Sequence, residues 1–174
     1  MQKSIIITLL TDFGQKDWFV AAMKGEILKI NPQVRIIDIT HEIQPHNIKS
    51  AAFVLWSVYK NFPKQTIHTV VVDPGVGTDR RPIVVKTDDY YFVGPDNGVF
   101  SYIFHNEHYY AYQIKIRKRL SKTFHGRDLF APVAALISKR IKISRIAQPL
   151  SKPKSFSFPQ PKITRTGIRG EVLY

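Results

Sequence analysis

The chain has 174 residues, 44% hydrophobic and 22% charged, which suits one folded domain with a core and excludes a disordered chain. It has no cysteine, which excludes disulfides and thiolate metal sites and fits a cytoplasmic protein; no apolar run approaches the roughly 20 residues of a membrane helix. The net charge of +13 is lopsided, with 11 Lys/Arg and 11 Asp/Glu in residues 1–114 against 15 and 2 in residues 115–174.

The apolar run from Ser4 to Leu10 predicts a strand buried on both faces, ending at the polar turn Thr11-Asp12-Phe13-Gly14. From Asp17 to Ile30 the period becomes helical, with Phe19, Met23, Ile27 and Ile30 on one face and Pro32 ending the segment. Val34 to Ile39 is a second strand, running into Asp38-Ile39-Thr40-His41. A helix from Asn47 to Phe62 follows, with Asn47 as its N-cap. Ile67 to Val72 is a third strand, ending at Asp73-Pro74-Gly75. Further strands are expected at Ile83 to Lys86, Tyr90 to Val93 and Tyr109 to Ile116, and a last helix from Arg127 to Lys139. The fold class expected is α/β, a mostly parallel central sheet flanked by helices. Residues 1–148 form the α/β domain, residues 149–166 a Pro-rich linker, and residues 167–174 the start of a second, β-rich domain.

In such sheets ligands bind beyond the carboxyl ends of the strands. The first three strands each bring an acid there: Asp12, Asp38 and Asp73. Asp is also a common turn former, so one such acid says little. Asp73-Pro74-Gly75-Val76-Gly77-Thr78-Asp79-Arg80-Arg81 is the densest feature, and its glycines let backbone amides approach a ligand. It is no phosphate-binding P-loop, because no Gly-Lys-Ser/Thr follows. The spacing of Asp73 and Arg80 suits a pair across one loop, structural or functional. Thr123-Phe124-His125-Gly126-Arg127-Asp128 places a histidine at a loop-to-helix junction. Together with Asp12-Phe13-Gly14 it superficially matches protein kinases, but the order is reversed and no Gly-rich loop or strand lysine exists. The six histidines show no metal-binding spacing, so no metal is expected. The basic last third suits either an anionic partner or a partner domain of opposite charge. No nucleic-acid-binding signature accompanies it, so a nucleic-acid partner is not expected.

Taken in order, Leu10 to Gly14 with Asp17, Met23-Lys24-Gly25, Asp38 to His41, Val71 to Thr78 with Arg80-Arg81, Gly94-Pro95-Asp96-Asn97-Gly98, and Phe124 to Asp128 with Phe130-Ala131-Pro132 resemble one family closely. This is the S-adenosylmethionine hydrolases (hydroxide adenosyltransferases), related to the S-adenosylmethionine-dependent chlorinases and fluorinases. The resemblance implies attack of water on the ribose C5′ of S-adenosylmethionine, releasing adenosine and methionine. The residues that hold and polarise the water fall on Asp73, Arg80 and His125. The ribose-hydroxyl carboxylate falls on Asp12, and an acid near the methionine amino group on Asp17. Phe124 and His46 fall on positions near the substrate. No cofactor or metal is implied. A C-terminal β-rich domain and a homotrimer are. Val76 and Gly126 stand in stretches where fluorinating relatives carry hydroxyl side chains, which favours water over halide. Gln65 replaces a turn glycine of the family, and Ala22 a helix glycine. The competing readings are a non-catalytic nucleoside- or S-adenosylmethionine-binding fragment, a halogenase and a basic nucleic-acid-binding module.

Overall fold

The computed structural model describes residues 4–116, 120–157 and 161–170. The strands are β1 (Ile6–Thr11), β2 (Arg35–Thr40), β3 (Ile67–Val71), β4 (Pro82–Thr87), β5 (Tyr91–Pro95), β6 (Tyr109–Ile114) and β7 (Ala147–Pro149). They form one sheet in the order β2-β1-β3-β5-β4-β6-β7. β2, β1, β3 and β5 are parallel neighbours. β4 runs against both β5 and β6, and β7 against β6. Five of its seven strands, β1, β2, β3, β5 and β6, run in one direction, so the sheet is mostly parallel in strand direction, as the alternation of apolar runs and helical periods predicts.

Helices α1 (Phe19–Ile30), α2 (Ile48–Val58), α3 (Ser101–Asn106), α4 (Ala131–Ser138) and α5 (Ile143–Ile146) accompany it. Side chains alternate across a strand, and both faces of the sheet are covered. Ile7, Leu9, Val84 and Val93 join a core with Met23 and Ile27 of α1 and Ala134 of α4. Leu10, Val70, Val85 and Phe92 join a second core with Leu55 of α2 and Ile103 of α3. Burial on both sides is why the strands read as continuous apolar runs rather than alternating ones. Asn47 caps α2 as expected, its Oδ1 accepting from the Ser50 amide at 3.0 Å.

The last long helix departs from regular geometry. Gly126–Phe130 forms a π-helical turn that runs directly into α4. Pro132, lacking an N–H and crowding the carbonyl four residues earlier, accounts for this widened turn. α3 and α5 are too short to show a helical period and were not predicted. A short exposed hairpin, β8 (Lys162–Thr164) with β9 (Gly167–Arg169), falls across the stretch expected as linker and second-domain start. The remainder of that expected start, residues 171–174, lies outside the described residues.

The segment after β7 is fastened to the sheet. Arg81 Nη2 pairs with the buried Asp96 carboxylate at 2.5 Å and donates to the Lys152 carbonyl at 3.0 Å. Asp96 Oδ1 accepts from the Lys154 amide at 2.6 Å. Ser101 Oγ accepts from the Phe156 amide at 3.0 Å.

Candidate active site

The chain builds β1, adds β2 on one side, then crosses to β3 on the other, so β1 and β3 flank the point where the winding reverses. Ligand sites of open α/β sheets form there, beyond the strand ends. A cavity of about 230 Å³ occupies this place. Asp12 and Phe13 after β1, Pro45 and His46 after β2, Asp73 and Val76 after β3, and Thr123 to Gly126 at the entry to the π-turn line it.

Asp73, Arg80 and His125 come together. Arg80 Nε donates to both Asp73 oxygens at 3.0 and 2.8 Å, and Nη2 approaches Oδ2 at 2.5 Å. Their side chains are only 6% and 4% exposed, so the pair is held in a medium where charge interactions are strong. The Arg80 guanidinium also lies 5.1 Å from the centre of the Phe130 ring. Arg80 Nη2 is 2.7 Å from His125 Nδ1. A guanidinium can only donate, so Nδ1 accepts and Nε2 carries the hydrogen. Burial, and then the Arg80 charge, push the His125 pKa below its ordinary value, while Asp73, Asp128 and a hydrogen bond to the Ser121 backbone pull the other way. The imidazole is therefore neutral near pH 7. Arg80 Nη1 is buried and finds no hydrogen-bond partner among the described residues. A buried donor left over beside a carboxylate and an imidazole suits an oxygen ligand.

One close approach joins the two halves of this cluster. Gly77 has φ +77°, and a Cβ there would stand 2.2 Å from the Lys122 carbonyl oxygen. Only glycine lets the Asp73–Arg80 loop press against the strand of chain that delivers His125. The spacing of Gly75 and Gly77 signals a close approach to something, but not that the partner is the chain itself.

Asp12 is half-buried at the cavity wall, and its Oδ2 accepts the His46 amide at 2.8 Å. His46 has φ +65°, a left-handed conformation uncommon for a non-glycine residue. Its contribution to Asp12 is thus made by the backbone, with the exposed side chain on the cavity rim. The loop bearing Asp12 is braced by His41, which is 1% exposed. His41 Nδ1 lies 2.9 Å from Thr11 Oγ1, which accepts the Phe13 amide, and the His41 carbonyl accepts the Gly14 amide at 2.8 Å. His41 sits in a motif visible in the sequence, but its bracing role has no signal there.

Asp38, the third strand-end acid, faces elsewhere. It pairs with Lys24 at 2.6 Å and lies 3.2 Å from His41 Nε2. Burial raises its pKa, and Lys24 and His41 together outweigh that and hold it below the ordinary carboxylate value. Asp17 is exposed in the turn before α1 and does not line the cavity. Phe124 does line it, and its ring is held edge-on by Phe13, Trp18 and Phe19 at centroid distances of 5.9, 5.6 and 5.2 Å. A Cβ at Gly126 would meet Met23 Sδ at 3.1 Å and the Phe124 ring at 3.3 Å, so this packing leaves little room for a hydroxyl side chain.

A model of the SAM hydroxide adenosyltransferase N-terminal domain matches residues 7–147. The (R)-S-adenosyl-L-methionine hydrolase of Methanocaldococcus jannaschii is 48% identical over 146 residues, covering 76% of this chain and 52% of that protein. The Salinispora tropica protein of the same name is 34% identical over 175 residues, covering 96% of this chain and 67% of that protein. A fluorinase of Actinoplanes sp. is more distant, at 24% identity. The solved structure of an uncharacterized conserved protein from Thermotoga maritima superposes with a TM-score of 0.88 at 40% identity, covering 93% of this chain and 64% of that one. The chain thus spans between 52% and 67% of the length of the two hydrolases.

Proposed function

The chain belongs to the SAM hydroxide adenosyltransferase family through its N-terminal domain, and on that premise we propose that it hydrolyses S-adenosylmethionine to adenosine and L-methionine. The observation that carries the reading is the cluster in which the buried Arg80 ties Asp73 to His125, the two residues of it that line the strand-end cavity. The sulfonium is already an activated leaving group, so neither an acid to protonate it nor a cofactor is required. The protein's work is to place and partly desolvate one water in line with the sulfur. Arg80 Nη1 and the imidazole N–H of His125 donate to the water oxygen, and Asp73 takes its proton. The new bond is oxygen to C5′. The C5′–S bond breaks with its electron pair on sulfur, cancelling the sulfonium charge, and the proton leaves from Asp73 to solvent. Asp12, oriented by the His46 amide, accepts from the ribose hydroxyls through its open oxygen. Asp17 lies outside the cavity and would meet the methionine end only where it projects from the mouth.

The tight packing at Gly126, where a side chain would require Met23 and Phe124 to give by a few tenths of an ångström, supports water rather than halide as the nucleophile. The cavity volume of about 230 Å³ is below the roughly 300–1,000 Å³ of small-molecule sites. That size favours, as a second reading, a chain that holds the substrate incompletely and binds without turnover. A homotrimer that completes the site at a subunit interface is the assembly consistent with the first reading.

The test is incubation of the purified chain with S-adenosylmethionine in H₂¹⁸O, with chromatography and mass detection of the products. Adenosine carrying ¹⁸O at the 5′-hydroxyl, with equimolar methionine, and loss of both in Asp73→Ala, is the expected result. Saturable binding of S-adenosylmethionine with no adenosine formed would overturn turnover in favour of the second reading.

A further inference from the structure

A larger cavity, about 1330 Å³, lies at the opposite end of the sheet, beneath the starts of β1, β3 and β5 and beside the turn between α4 and α5. Five cationic side chains line it: Arg35, Lys64, Lys86, Arg140 and Lys142. No carboxylate does, among the described residues. Lys64 pairs with Asp89 at 3.1 Å. Arg35, Lys86, Arg140 and Lys142 have no acidic partner among the described residues.

Cations after a helix C-terminus complement its dipole, which accounts for Arg140 and Lys142 behind α4. It does not account for Lys86. That residue is half-buried on the interior strand β4, between Tyr91 of β5 and Tyr110 of β6. It lies two residues beyond the core residue Val84 and so faces the same, α4-covered side of the sheet. Its stem is covered while its ammonium, without an acidic partner among the described residues, is open to an anion in the cavity. A cleft of one sign over apolar walls also concentrates field lines on an incoming anion. The walls include the rings of Tyr91 and Tyr112, which offer apolar faces suited to a heterocycle.

We infer that this cavity is a binding site for a nucleoside polyphosphate, its phosphates held by Lys86, Arg140, Lys142 and Arg35 and its base against the tyrosines. It also gives a place to part of the basic excess of the last third of the chain. The site is independent of the one at the other end of the strands, and a negative hydrolysis assay would leave it standing.

Calorimetric titration of the full chain with UTP tests it, since uridine differs from the adenosyl group expected at the other site. The expected result is saturable one-to-one binding that weakens with salt and falls at least tenfold in the double variant Arg140→Glu, Lys142→Glu. Both positions are exposed, so folding is retained, and the unfolding curve checks it. Amide shifts on titration are expected at Ile5, Ile67 and Ser144, with Asp12→Ala binding UTP as the parent does. Absence of saturable UTP binding, or equal binding by the double variant, or loss of binding in Asp12→Ala, would overturn the proposal. Inorganic tripolyphosphate binding as tightly as UTP would overturn the nucleoside part. Oligo(U) binding where UTP does not would replace the free nucleotide with a nucleic-acid strand.

Discussion

Removing the Asp73 carboxylate should damage stability and chemistry together, and the two effects can be separated. With side chains 6% and 4% exposed and contacts of 2.5 to 3.0 Å, Arg80 and Asp73 form a buried pair rather than a surface one. Asp73→Ala leaves a guanidinium with no counter-charge in a nearly dry place, which costs about 3–5 kcal/mol. That is a large share of the 5–15 kcal/mol that holds a typical domain folded. Arg80→Met leaves the carboxylate unpaired and should cost a similar amount, eased by protonation. The double variant removes both charges, so its loss should fall short of the sum by about 1–3 kcal/mol. Turnover behaves differently. Each single variant should lose about 10²- to 10⁴-fold in the hydrolysis assay, and the double variant should recover none of it. Urea unfolding followed by tryptophan fluorescence gives the stability cycle, and adenosine release gives the rates. An Asp73→Ala variant within about 0.5 kcal/mol of the parent, or strict additivity in the double, would refute the reasoning, because exposed pairs behave that way.

Three further outcomes follow from the same geometry. His68 lies in the sheet core, its Nδ1 2.8 Å from Thr8 Oγ1 and its ring stacked on Phe92, and burial pushes its pKa down to about 3. The native state then binds fewer protons than the unfolded chain, so the contribution of His68 to stability is full above about pH 6.5 and falls as pH drops toward 3, by about 1.4 kcal/mol per pH unit; His68→Asn should remove that part of the slope between about pH 6 and 5, above the range where Asp38 and Glu107 titrate, and an unchanged slope there would sink the assignment. Gly77→Ala should lower stability by about 1–3 kcal/mol and turnover by at least tenfold, because the added methyl meets the Lys122 carbonyl and pushes His125 away from Arg80; wild-type kinetics in that variant would show that the two loops are not held by this contact. Gln65 sits at φ +70°: relief of about 1–2 kcal/mol of left-handed strain, less about 0.4–1 kcal/mol of added unfolded-chain entropy, makes Gln65→Gly stabilising by about 0.5 kcal/mol, while Gln65→Val should destabilise, both read from the urea midpoint.

The parts of this molecule legible in the sequence are those set by burial and by local chemistry. β1 and β3 announced themselves because strands covered on both faces must be apolar throughout, the edge strand β2 did so through its run of isoleucines, and the turn residues after β1 and β3 placed Asp12 and Asp73 at the carboxyl edge. Asn47 was legible because capping needs only its own side chain and the next turn. What the sequence concealed depends on distant neighbours or on backbone shape. Asp38 looked equivalent to Asp12 and Asp73, yet Lys24 on α1 draws it into an ion pair outside the cavity. The resemblance marks His46 as a position near the substrate, but nothing in the sequence shows that its left-handed backbone turns an amide toward Asp12. The π-turn has no periodic signature of its own. Gly77 could be seen to need space, but the Lys122 carbonyl that takes it lies 45 residues on.

Arg80 and Arg81 share an extended segment leading into β4, where successive side chains point to opposite sides. One clamps Asp73 and His125; the other clamps Asp96 and the backbone at Lys152. The loop therefore behaves as a keyed joint whose phase is fixed by parity. Insertion or deletion of a single residue between Arg81 and Pro82 would exchange the sides of the two arginines, presenting the outward clamp to the reacting centre and the inward one to the departing chain, whereas a two-residue change there would preserve the key. Length variation at that junction should accordingly be tolerated in even steps and not in odd ones, while the turn at residues 74–79 does not set the phase.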